Sequence, residues 1–247
     1  MKIETHMAIG RAISRHLGLD PHLEDCFIRG LIKPDLLARR RGRVRSHHGI
    51  HPESIMSIVW RARRAYLAGD YERSLELLGV ALHYVEDKCV VWAKRRLRRV
   101  HNRVERRAAS LELPVEAIRE GFGKAECSPT FVKSILYSIK PSKDPVEALR
   151  NACYYSALVA GAVYNPSKPS RNLLEEYEKA KAVAAKWRRI RLFMVSALAL
   201  VFCGLLILYS HLLAIYFIAV ILSLPLLFYS GVDPSLREEL AWYGLEW

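Results

Sequence analysis

Three histidines in the chain are followed four residues later by a carboxylate: His16 by Asp20, His83 by Asp87 and His101 by Glu105. On a helix this spacing puts both groups one turn apart on one face, where imidazole and carboxylate can grip a single cation. Spacing alone is weak evidence, because with 25 acidic residues in 247 roughly one such pair arises by chance. His16 and Asp20 are read as that chance pair, since Gly18 ends one helix and Asp20 caps the next. His83 and Asp87 differ in their surroundings. Leu75, Leu78, Leu82, Val85, Cys89 and Trp92 form one apolar stripe, and Gly79, Val80, Val90 and Val91 form a second on roughly the opposite face, which contains the pair. A helix apolar on two faces belongs at the centre of a fold. The pair is therefore expected to be buried, where an unpaired charge costs several kcal/mol. Either a bound metal or a mutual hydrogen bond meets that requirement.

His101 and Glu105 sit at the edge of a stripe made by Leu97, Val100, Val104 and Ala108. Lys94, Arg95, Arg96, Arg98, Arg99, Arg103, Arg106 and Arg107 cover the other faces, so in isolation Glu105 reads as a salt-bridge partner. Upstream lie His6, then Asp35 in GLIKPDLL, then His47, His48 and His51 after the basic run RRRGRVR. Histidines and carboxylates thus recur through the first hundred or so residues in about the number that two or three zinc ions would need.

The elements that must position these groups read as helices. Asp20-Pro21, Ser128-Pro129 and Asp144-Pro145 are N-cap and first-turn pairs, Asp70 caps a segment running to about Trp92, and no stretch alternates with period two. The fold class is all-α, with a helical domain over 1–165 ending near NPSKPS and a polar, basic stalk helix over 166–191. Two uncharged runs follow, 192–209 and 212–229, separated by Ser210 and His211. A helix of that length rises about 27 Å against a hydrocarbon core of roughly 30 Å, so a two-helix transmembrane hairpin over 192–229 is expected. A short acidic helix opened by Asp233 and Pro234 is expected in the tail, 230–247. KWRRIR just before the hairpin keeps the main domain and the tail cytoplasmic by the positive-inside rule. MKIETHMAIG lacks the apolar run of a secretory signal. Five cysteines, odd in number and without a CxxC, suit a reducing compartment. The formal charge of +13 asks for an anionic partner, whether lipid headgroup, phosphate ester or nucleic acid, while 51% apolar residues exclude a disordered chain.

The stretch WRARRAYLAGDYERSLELLGVALHYVEDKCV resembles the zinc-dependent phospholipase C family, with Gly-Asp before a helix that contains Leu-Gly, His-Tyr and an Asp four positions after the His. RGLIKPD, SHHG and HNRVE are similar to that family's other ligand segments, and the resemblance covers about His6 to Glu105. It implies a multi-helix bundle binding one to three zinc ions. Asp35, His48 or its neighbour His47, His83 and Asp87 would hold one ion, Asp87 would bridge to another near His6, and His101 with Glu105 would hold the remaining one. Asp35 would also orient or deprotonate the attacking water. The sequence departs from the family twice. DKCVVWA offers Cys89 where the family has a histidine after the bridging Asp, so Cys89, His51 or water must complete that site. Secreted members also use the α-amino group of a processed amino terminus, whereas Met1 stands only five residues before His6, a short reach.

The activity implied is phosphodiester hydrolysis, most directly of phospholipid, by a membrane-anchored multi-pass protein. Zinc brings bound water from a pKa of 15.7 towards about 7 and so supplies a hydroxide that attacks phosphorus. Basic side chains would neutralise substrate phosphate or hold the domain on anionic lipid. A nuclease or nucleotidase is the alternative within enzymes, since fungal single-strand zinc nucleases share the family's fold; Trp60 and Trp92 are then candidates for base stacking. A basic membrane or nucleic-acid scaffold with a degraded metal site is the non-enzymatic alternative.

Overall fold

A computed structural model of the chain describes residues 1–40, 50–91, 98–166, 168–208, 220–221 and 231–245. Ten helices and no strand occur among the described residues. They are α1 (Ile3–Leu17), α2 (Pro21–Arg40), α3 (Pro52–Leu67), α4 (Tyr71–Lys88), α5 (Arg98–Ala108), α6 (Val115–Lys124), α7 (Pro129–Ser138), α8 (Pro145–Tyr164), α9 (Arg171–Leu208) and α10 (Pro234–Trp242). The chain divides into two compact units, Met1–Ser167 and Lys168–Trp247.

The helix starts follow from local chemistry. The side chains of Asp20, Asp70, Ser128, Asp144 and Asp233 accept from the backbone N–H groups of Leu23, Arg73, Phe131, Val146 and Ser235, satisfying donors that the first turn of a helix leaves open. Gly18, at φ 66°, closes α1 in the left-handed region, so His16 and Asp20 stand on different helices as their spacing around a glycine implied. α4 stops at Lys88 rather than continuing to Trp92. Its exit is captured from far along the chain: Val91 N–H donates to the Ser142 carbonyl at 3.0 Å and Ser142 N–H to the Cys89 carbonyl at 2.9 Å. Val90 and Val91 therefore leave the helix to pair with the segment before α8, and Trp92 lies outside the described residues.

In the first unit α4 is central, packed by α1, α2, α3 and α8. Leu75, Leu78, Ala81, Leu82 and Val85 are fully buried along it. Its closest partner is α2, and two glycines make that approach possible. A Cβ on Gly30 would collide with the Glu76 carbonyl, and one on Gly79 with the Phe27 carbonyl and the Leu31 nitrogen. α8 contributes an interior face of small residues, including Ala148, Ala152, Cys153, Ser156 and Ala160.

The second unit differs from the expected hairpin. Residues 192–208 do not start a separate span but continue the polar 171–191 segment as one helix, α9. No helix among the described residues is long and apolar enough to cross a membrane. Arg188, Arg189 and Arg191 stand on α9 directly before its apolar part, so the basic and the apolar segments share one helix. Most of the second apolar run, 212–219 and 222–229, lies outside the described residues. Gly231, at φ 70°, sits against Trp187 and Val183, and Leu240 and Trp242 of α10 are buried.

Candidate metal centre

His6 on α1 and His83 with Asp87 on α4 each offer a ligand atom, and these atoms all lie within 4.8 Å of one another. All three residues are buried, His6 and His83 at 0% exposure and Asp87 at 2%. The two imidazoles stack with ring centroids 4.3 Å apart. His6 Nε2 stands 3.5 Å from Asp87 Oδ1, and His83 Nε2 stands 3.4 Å from Asp87 Oδ2. Neither approach has hydrogen-bond geometry, so His6 Nε2 and both ring nitrogens of His83 are buried without a hydrogen-bond partner. Leaving a buried polar atom unsatisfied costs about 1–3 kcal/mol. Two imidazoles that each bring one ring nitrogen to within 3.5 Å of one carboxylate form a donor set suited to a divalent ion, because imidazole and carboxylate are the ligand types of zinc and its neighbours.

The other nitrogen of His6 is held in place. Nδ1 lies 2.5 Å from Glu86 Oε2, and Ser156 on α8 donates to Glu86 Oε1 at 3.2 Å. A carboxylate accepting from one ring nitrogen directs the opposite nitrogen toward a metal and raises its basicity. Glu86 was not anticipated as part of the site, although a signal for it exists. It falls four residues after Leu82 and three before Cys89, within the apolar stripe, where a charged residue has no packing purpose. Ser156 has no such signal in the sequence.

A second cluster adjoins the first. The Met1 ammonium contacts Asp87 Oδ1 and lies 3.0 Å from Glu105 Oε1, and His101 Nε2 is 3.1 Å from the same Glu105 oxygen. His101 Nδ1 lies 3.0 Å from the Val91 carbonyl, which makes Nδ1 the donor to that carbonyl and turns Nε2 toward Glu105. The reach of Met1 is thus sufficient: a β-region Lys2 folds the amino group back against α4 and α5.

The electrostatics match this arrangement. Burial works against the charged form of the Met1 amine, but Asp87 and Glu105 outweigh it and raise its pKa to about 10. Burial and the Met1 ammonium likewise disfavour a charged His6, yet the Asp87 and Glu86 carboxylates beside it hold it up at about 9. For His83 burial, helped by the charges of His6 and the Met1 ammonium, outweighs the Asp87 carboxylate and the Leu31 backbone and drives the pKa down to about 3, leaving a neutral imidazole. For Glu105 burial favours the neutral acid, but His101 and the Met1 ammonium prevail and bring it to about 2. The site is therefore a set of carboxylates that draws positive charge into the interior from several directions.

The remaining expected ligands are placed as follows. Asp35 is half-buried on α2, adds to the burial-driven rise of the Tyr84 pKa, and is not a member of the three-residue cluster. His47, His48 and the basic residues 41–45 lie outside the described residues. His51 is exposed at the N-cap of α3 and is not a member of the three-residue cluster. Cys89 is fully buried with its thiol donating to the Val85 carbonyl at 3.4 Å, and burial pushes its pKa up, so it behaves as a packed thiol rather than a ligand. Of the aromatic candidates for base stacking, Trp60 is half-exposed beneath the Arg64 guanidinium, 5.7 Å from its ring centroid. Comparison with known proteins adds no relative: no family model, no curated protein and no solved structure matches the chain.

Proposed function

We propose that the chain is a zinc-dependent phosphodiester hydrolase of phospholipase C type that works at a membrane surface. The observation that carries this reading is the convergence of buried His6, His83 and Asp87, with ring nitrogens of both histidines lacking a hydrogen-bond partner. In this reading His6 Nε2, His83 and Asp87 hold the ion, while Glu86 and Ser156 orient His6. The Asp87, Glu105 and His101 cluster is the place for a second ion, beside the Met1 amine. Zinc when bound is a Lewis acid that makes water nucleophilic near neutral pH and draws charge from phosphoryl oxygens. Asp35 is the carboxylate left outside the cluster to take a proton from water. Arg103, Arg106 and Arg107 on α5, the helix that bears His101 and Glu105, are exposed and bring positive charge for a phosphate ester.

Membrane association is supported by two features of the second unit. The sequence contains the uncharged runs 192–209 and 212–229, and α9 presents Leu192, Phe193, Val195, Leu200 and Val201 at 51–75% exposure. An apolar band of this kind marks a protein or lipid contact.

Zinc content of the full chain and release of phosphorylated headgroup from phosphatidylcholine vesicles test the proposal together. Bound zinc is expected, with zinc content falling by about one ion per chain and hydrolysis lost in His83→Ala. Glu86→Gln should weaken metal affinity about 10–100-fold without removing the site. A metal-free protein, or hydrolysis unchanged in His83→Ala, would overturn the proposal. Hydrolysis of single-stranded DNA in place of lipid would reassign the substrate to nucleic acid.

A further inference from the structure

A second set of ligands lies on the surface, apart from the buried centre and made of different donors. His22 and Cys26 are one turn apart on α2, and Glu72 stands on the first turn of α4; a ring nitrogen, the thiol sulfur and a carboxylate oxygen all lie within 4.8 Å of one another. His22 Nε2 is 3.0 Å from Glu72 Oε1, with side-chain exposures of 67% and 65%, while Cys26 beneath them is only 2% exposed. We propose that His22, Cys26 and Glu72 form a surface site for a borderline-soft divalent cation of the zinc class, clipping the N-terminal ends of α2 and α4 together.

The geometry suits this role. Donors around a tetrahedral zinc ion stand roughly 3.3–3.8 Å apart, given metal–ligand distances of about 2.0–2.3 Å. The three atoms need only small side-chain adjustments to meet that spacing. The backbone beneath them is fixed: Cys26 precedes Gly30 by one turn, Glu72 precedes Glu76 by one turn, and Gly30 lies directly against the Glu76 carbonyl. The two exposed ligands leave a fourth position open to water, as in a three-ligand site. The sulfur's present cationic neighbour is Arg29, whose Nη2 donates to Cys26 Sγ at 3.0 Å while Nη1 pairs with Asp25. That guanidinium is 56% exposed, so it can swing aside and keep its Asp25 partner when an ion binds the thiolate.

Sulfur is the feature that separates this site from the buried one, whose convergent ligands are imidazole and carboxylate only. Cobalt(II) titration of the full chain, made in a Cys203→Ser background because Cys203 is exposed, reads it directly. A thiolate-to-cobalt charge-transfer absorption is expected. It should vanish in Cys26→Ser, persist in Cys89→Ser and His83→Ala, and need at least about tenfold more cobalt in His22→Ala or Glu72→Gln. The two latter side chains are exposed, so those variants keep the test valid if Cys26→Ser perturbs packing. No charge-transfer absorption, its survival in Cys26→Ser, or indifference to both His22→Ala and Glu72→Gln would overturn the site.

Discussion

The two units depart from the rule of apolar inside and polar outside in opposite directions. In the first, ionisable side chains are sequestered: His6, His83 and Glu86 have no exposure and Asp87 has 2%. In the second, large apolar side chains are displayed, with Phe193 at 74% and Leu200 at 75% exposure. Neither pattern helps a chain fold by itself, because buried charge must be compensated and displayed hydrocarbon forfeits burial energy of about 25 cal/mol per Å². The difference teaches where to look for function. The first unit concentrates buried carboxylates and imidazoles around Asp87, and the second displays hydrocarbon along α9, so these are the two places where the proposed function is tested.

The strongest way to break this comparison is Asp87→Asn. It removes the negative charge nearest the Met1 ammonium and shared by both histidines, and loss of one partner from a buried charge network costs about 3–5 kcal/mol. A large drop in the urea midpoint of the metal-free protein is expected; an unchanged midpoint would mean that the interior charges are not coupled. Ser156→Ala sharpens the picture at smaller scale. Loss of the only neutral hydroxyl seen bonding Glu86 among the described residues should lower stability by about 1 kcal/mol and shift zinc affinity in the same direction as Glu86→Gln. Leu200→Lys should have the least effect on folding, within about 0.5 kcal/mol, while reducing flotation with lipid vesicles. Equal destabilisation by Leu200→Lys and Asp87→Asn would erase the contrast between the units.

What could be read from the sequence was what local chemistry decides. The caps at Asp20, Asp70, Ser128, Asp144 and Asp233 were legible because a side chain bonds a backbone N–H two or three residues away. Burial of His83 and Asp87 was legible because two apolar stripes flank them. The end of α4 was not, since Ser142 terminates it from more than fifty residues downstream. The meeting of His6 with His83 is likewise a matter of α1 packing on α4, which no spacing along the chain reveals. The hairpin finds no support among the described residues, where the first apolar run continues the charged 171–191 segment as one helix, and most of the second run lies outside them.

Where α2 crosses α4 at Gly30 and Gly79, main chain meets main chain with no deformable side chain between. Such a seat has almost no slack. A side chain put at either glycine would push the two axes apart, and with them the donor atoms that α2 and α4 bring together at His22, Cys26 and Glu72.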